Sequence, residues 1–490
     1  MSKSRDSVED LRTIDTVTAT ANAALPKSGG TMTGNIATKG ITSVTLGTGN
    51  FVAGSNAGNS IISNGNYNTT IGNEAGTAIT TGYNNTVVGN LAGSSITTSA
   101  DNVSVGDRSL KSNTTGGSNT TIGTASLENN TTGTSNVASG WGALRANTTA
   151  SNNTAIGTQA LYANTTGANN TAVGKDALLA NTVGEQNTAL GNAALAANTT
   201  AVGNTAVGYA SLNTNTTGAA NTGTGFYSLL SNTTGADNTA NGYMALRANT
   251  TGNYNTAIGD RALRYNTTAS NNTAVGYYSM LQNTTGTRNT AVGANALDAN
   301  TTGSYNSAFG THAGSSITTG TLNSVFGDYA LAGTTTASGN SAFGQAALGT
   351  NSTGANNSAF GKDALYANTT GANNTAVGYD SLIANTTGTR NTAVGMSALV
   401  ANTTGVDNTA VGGIDAAAAA TLGSNTTGTN NVAVGGGALH SNTTASNNTA
   451  MGYRSLKANT TGAGNSAFGK DALGANTTSA GNTALGYGAA

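Results

Sequence analysis

The amino-acid sequence predicts an all-β protein, a parallel β-solenoid (β-roll) built from coils of 17 residues. Three observations carry this. First, an Asn opens a segment of the type Asn-Thr-Ala-Val-Gly at 68, 85, 102, 119, 136 and 153, always 17 residues apart. The spacing runs through Asn170, Asn255, Asn340 and Asn391 to Asn408, and after one longer unit it resumes at Asn431, Asn448, Asn465 and Asn482. With an imperfect first unit at Asn50 there are 26 unit starts. A strict short period means that each unit is one turn stacked on identical neighbours. Second, Gly, Asn and Thr, which are poor helix formers, dominate the unit, and no 3.6-residue apolar stripe is present. Third, the irregular units compensate for themselves. Leu is replaced by glycine at Gly58, Gly76, Gly93 and Gly314, and each time Ile61, Ile79, Ile96 or Ile317 stands three residues later. A lost buried Leu costs roughly 2–5 kcal/mol. An Ile refills that space only if both positions reach one core.

Composition points the same way. Charged residues are 8% of the 490, against roughly 25% in ordinary globular proteins. There is one proline and no cysteine, and the formal net charge is −1. High net charge and abundant proline, the marks of disorder, are both missing. A near-neutral chain has no electrostatic footprint for nucleic acid. No apolar run of about 18 residues is present to span a bilayer as a helix. The opening Met1-Ser2-Lys3-Ser4-Arg5-Asp6 leads into polar sequence, so no secretory signal is expected.

Residues 1–49 differ in kind from the rest and are read as an attachment segment. Its first 15 positions carry seven charges, and Val8, Leu11, Ile14 and Val17 are spaced by three, which predicts a short helix over 6–24. Residues 50–490 form the solenoid. In the unit from Asn374, NTAVGYDSLIANTTGTR, the recurring residues are Asn at position 1, Thr or Ser at 2 and Ala at 3. Val, Ile or Phe follows at 4, Gly at 5, Ala or Ser at 8 and Leu at 9, then Asn-Thr-Thr at 12–14 and Gly at 15. Two short strands and two turns fit this length. Positions 4 and 9 are expected to face inward, so that Leu110, Leu144, Leu365, Leu382 and Leu399 belong to the core with Ile61, Ile79, Ile96 and Ile317. Ser139, Thr224 and Asn241, polar at position 4, depart from that pattern. Glycines at 5 and 15 suit corners, and the Asn at position 1 stacks into a ladder. The core per coil is thin, so lateral association is expected, through small residues at 3 and 8, in a parallel homotrimer. At about 4.8 Å per coil, 26 coils make a rod of roughly 125 Å. The residues added at 414–420 are read as a loop leaving the rod.

The NTAVG, NSAFG and NTAIG segments resemble the repeats of trimeric autotransporter adhesin heads, the YadA-like β-roll, over roughly residues 50–490. Leu25-Pro26-Lys27-Ser28-Gly29-Gly30-Thr31-Met32-Thr33-Gly34-Asn35-Ile36 is similar to a segment near the start of many bacteriophage tail fibres. An autotransporter implies a signal peptide and a membrane anchor, neither expected here. The resemblance to tail fibres therefore implies a virion tail fibre, extracellular after release. It implies that residues 1–49 join a tail or baseplate protein, with a host-surface polysaccharide or protein, or a separate tip protein, beyond the rod. A bacterial surface adhesin or filament is the alternative, and an ice-binding solenoid, suggested by the Thr rows, a more distant one.

Catalysis is not expected. His312 and His440 sit at variable positions without a predictable partner, and no Asp ladder marks a calcium β-roll, so neither a metal nor a cofactor is anticipated. The better candidates are the aromatics at position 6: Trp141, Tyr209, Phe226, Tyr243, Tyr277, Tyr379, Tyr453 and Tyr487. Such a row suits stacking on sugar rings, and it equally suits covering neighbouring coils.

Overall fold

The computed structural model describes residues 47–490. The attachment-segment expectations, the 6–24 helix and the 25–36 string, lie outside them. The described residues fall into two units, divided between Thr132 and Gly133. The first carries β1 (Phe51–Ala53) to β5 (Thr120–Ile122) and the second β6 (Val137–Ser139) to β26 (Thr483–Leu485), one three-residue strand per coil. Within each unit successive strands pair in parallel with like positions opposite, as in Thr375↔Thr392, Ala376↔Ala393 and Val377↔Val394. Each unit is thus a parallel β-solenoid. The 21 coils of the second extend roughly 100 Å at about 4.8 Å each.

A second strand per coil does not form. Positions 7, 9 and 17 are left-handed: Asp380 has φ 55°, Leu382 φ 51° and Arg390 φ 54°. Left-handed residues alternating with right-handed ones cannot extend, so the rest of the coil is turns. Backbone hydrogen bonds still tie it to its neighbours all the way round. Leu382 N–H donates to Ala398 O at 3.0 Å, Thr386 N–H to Thr403 O at 2.9 Å and Arg390 N–H to Ala372 O at 3.1 Å.

The core holds positions 3, 8 and 9 together with the two Asn positions. Leu110, Leu144, Leu365, Leu382 and Leu399 are fully buried. So are Ile79, Ile96 and Ile317, with Ile61 nearly so. A Cβ on Gly58, Gly76, Gly93 or Gly314 would come within 2.7–2.9 Å of the Cδ1 of the Ile three residues on. The Ile therefore occupies the space that Leu vacates.

Position 4 points the other way. Ile122 is 49% exposed and Val207 36%, while Thr121 and Ala206, at position 3 of the same strands, are buried. Side chains alternate along a strand, so positions 2 and 4 share a face opposite position 3. Leu at position 9 fills most of the narrow interior, so position 3 is usually Ala; Val is buried there at Val52 and Val87, beside Gly58 and Gly93, and at Val325. The inward assignment of position 4 is thus corrected, and Ser139, Thr224 and Asn241 are not core defects. The small residues at 3 and 8, expected on a lateral contact, are buried inside the coil instead.

Two Asn columns replace a larger core. Asn374 Nδ2 and Asn385 Nδ2 both donate to Gly388 O, at 2.8 and 3.0 Å. Asn374 Oδ1 accepts the backbone N–H of Asn391 at 3.0 Å and its Nδ2 at 3.2 Å. Asn385 Oδ1 accepts Asn402 Nδ2 at 2.8 Å. Buried amides are tolerable only when satisfied in this way. Where the position-12 column is broken by Ile317, Asn300 Oδ1 is left without a partner.

Candidate functional site

Three features stand on the surface of the second unit: the face formed by positions 2 and 4, the aromatic row at position 6, and the folded insertion. The first carries no charged residue in any coil. Wherever Phe stands at position 4 (Phe309, Phe326, Phe343, Phe360 and Phe468) Ser stands at position 2 of the same strand, and Ser occurs at position 2 nowhere else. The bulky ring thus always neighbours the smallest partner. Phe309, Phe326, Phe343 and Phe360 stack successively at 4.7, 4.7 and 4.9 Å, the strand spacing itself. Reading apolar residues as inward hid this face. The signal for it was size: in the second unit position 3 is Ala in every strand but those of Gly223 and Val325, whereas the apolar residues at position 4 range from Val to Phe.

The eight position-6 aromatics are all exposed. Tyr209, Phe226 and Tyr243 stack on one another along the axis, at 5.3 and 5.6 Å between centroids. Their faces are therefore largely turned to each other. Residues at positions 7 and 10 join them, which reading position 6 alone missed. Tyr227 lies 4.1 Å from Phe226, Tyr278 is 3.9 Å from Tyr277, and Tyr162 is 6.5 Å from Trp141. Cations cover other rings: Arg261 lies over both Tyr243 and Tyr278, Lys362 over Tyr379, and Lys470 over Tyr453 and Tyr487. A cation over a ring face is worth about 0.5–1 kcal/mol at an exposed site. His312 stacks on Tyr329 at 4.7 Å, with Nε2 3.3 Å from Asn295 Nδ2. Among the described residues no three His, Cys, Asp or Glu side chains cluster to hold a metal ion, and no helix is long and apolar enough to cross a membrane.

The insertion does not leave the rod. Ile414 and Ala420 form an antiparallel bridge, and Asp415 turns inward. Its Oδ1 accepts the N–H groups of Ala417 and Ala419, both at 2.8 Å, and its Oδ2 meets Arg454 Nε at 2.6 Å. His440 Nδ1 contacts Ala420 O at 3.1 Å. The loop lies over Gly436 and Gly437, where a Cβ would stand 3.6 and 2.9 Å from Asp415 atoms. Arg454 belongs to the coil beyond those glycines, so the loop reaches across a coil stripped of side chains. Strand pairing continues past it, from β22 (Thr409–Val411) to β23 (Val432–Val434).

The Ala419 N–H first, and then the Arg454 guanidinium, hold the Asp415 carboxyl at about 2, below its ordinary 3.8. A carboxylate lowered on folding stabilises the folded loop above its ordinary pKa, and that contribution disappears as pH falls through about 2. Hydrogen exchange of peptides spanning 413–423 is expected to be slower than in Asp415→Asn at pH 5. The difference should vanish near pH 2. Equal exchange in the two proteins at pH 5 would show that the carboxylate does not hold the loop.

Compared with protein-family models and with curated proteins, the chain matches none.

Proposed function

We propose that this chain is the shaft of an attachment fibre, three parallel copies joined along their 2/4 faces, projecting from a phage tail. One observation carries the reading: a face without charge in any coil, which repeats at the strand spacing over the 21 strands of the second unit. A partner covering such a face must repeat at the same spacing, or it falls out of step within a few coils. Another copy of this chain meets that condition by construction. Exposed apolar surface of this extent is otherwise an association hazard. The Leu25–Ile36 string supports placing the fibre on a tail, with residues 1–49 on a tail or baseplate protein. Receptor contact, with a surface polysaccharide or protein, then falls to the aromatic row or to a separate tip protein.

Antibodies against the chain are expected to decorate tail fibres of purified virions in electron micrographs. Labelling confined to bacterial envelopes overturns the phage assignment in favour of a surface adhesin, the reading that the NTAVG-type repeats support. Sedimentation is expected at three times the 47.7 kDa chain mass. A monomer overturns the lateral association.

A further inference from the structure

A uniform face creates a problem of register. Two copies packed along it and displaced by one coil would move by about 4.8 Å, and every backbone group would meet an equivalent one again. Apolar burial alone hardly distinguishes the aligned bundle from the displaced one. Three position-4 residues, Ser139, Thr224 and Asn241, break the apolar column with polar groups. Thr224 and Asn241 are direct neighbours, paired across adjacent strands. Val207 precedes them and Ile258 follows, both exposed on the same face. Nothing inside the coils calls for these polar groups, because Leu229 and Leu246 remain fully buried there and Asn241 is itself exposed.

We propose that the Thr224–Asn241 step is a register pin, which aligns further copies of this chain parallel and without offset. The inference rests on the lateral association proposed above. In the aligned bundle Asn241 of each copy meets Asn241 of the others. An amide is self-complementary, with two donors and an acceptor, and the Thr224 hydroxyls can likewise pair with each other. A one-coil offset sets Asn241 of one copy against Ile258 and Thr224 of the other against Val207, and keeps only the Thr224–Asn241 contact between them. Buried amide and hydroxyl groups then lose partners, which costs far more than an apolar contact gains. An antiparallel pair centred on the step would also match the polar groups, Thr224 against Asn241 twice, but it sets Phe326 against Ser139, so the direction is decided by the Phe309–Phe360 block lying on one side of the step. A single polar residue in an apolar seam sets register in coiled coils by the same physics. The block Phe309–Phe360 adds to the effect, since an offset places its end rings against Val292 and Val377 and mismatches volume.

The chain has no cysteine, so engineered ones report register directly. Val377 and Val394 are neighbours at position 4, and Val377→Cys and Val394→Cys chains can be co-expressed and oxidised. In the parent background, same-residue disulfides are expected, with 377–394 links between chains nearly absent. In Thr224→Val/Asn241→Ile the ratio of offset to same-residue links is expected to rise about tenfold or more. Both replacements are residue types that position 4 carries in other coils, so each coil accommodates them. Offset links as frequent as same-residue links in the parent overturn the pin, as does a variant whose links stay unshifted. In both cases the bundle itself stands. A monomeric parent without interchain links overturns the bundle instead.

Discussion

Replacing Gly378 by alanine is expected to part the coils at that point, with a local loss of at least about 3 kcal/mol. Gly378 has φ +133°, a conformation that side chains rarely adopt. A Cβ there would lie 2.6 Å from Gly395 O and 2.7 Å from its carbonyl carbon, which are backbone atoms of the next coil and cannot swing aside. Position 15 is the control. A Cβ on Gly388 would also be close, 2.5 Å from Gly405 O, but no positive φ is involved. Other coils already place Ala150, Ala201, Ala269, Ala337 and Ala445 there, nearly buried. At Ala269 the carbonyl still accepts from Asn255 and Asn266. Gly388→Ala is therefore expected to cost less than about 1 kcal/mol. Limited proteolysis should cut the Gly378→Ala chain near residues 378–395 and leave the Gly388→Ala chain as intact as the parent. Equal cleavage of both would refute the conformational argument. Because each coil contacts only its neighbours, the damage stays local.

The second large effect concerns Leu382. Leu382→Gly removes a fully buried side chain and at the same time relieves a left-handed leucine, for a net loss on the order of 3 kcal/mol. Asn385→Ile alone crowds the core and leaves Asn368 Oδ1 without its donor, Asn385 Nδ2. Together the two recreate the arrangement of Gly314 and Ile317, which stands between ordinary coils. The double variant is expected to be more stable than the sum of the single effects by on the order of 2 kcal/mol. Local opening energies from hydrogen exchange of peptides over 374–402 would measure the coupling. Strict additivity would mean that the two side chains do not share a space.

Much of the fold is legible in the repeat itself. The 17-residue spacing, the Leu core, the Asn columns and the Gly-for-Leu, Ile-for-Asn exchange are all relations between residues a constant distance apart, and stacking turns such relations into contacts. The candidate site was less legible. Position-6 aromatics stand out in the repeat, but their companions at 7 and 10, such as Tyr227, Tyr278 and Tyr162, are joined to them only by the turn geometry. Asp415 and Arg454 lie 39 residues apart and share no repeat position; only the fold of the inserted loop brings them to 2.6 Å.

The sequence by itself determined the coil length, the stacking and which residues lie above which, because a period that holds from unit to unit leaves a stacked chain little choice. Only the tertiary structure decided which way each residue faces. Positions 3 and 4 are adjacent on one strand and both apolar, and pattern alone favours the larger as core. A left-handed leucine at position 9 fills most of the interior, so that a small residue, usually Ala, stands at position 3 beside it. Strand alternation then sends Val, Ile and Phe outward, to the face proposed to join the copies.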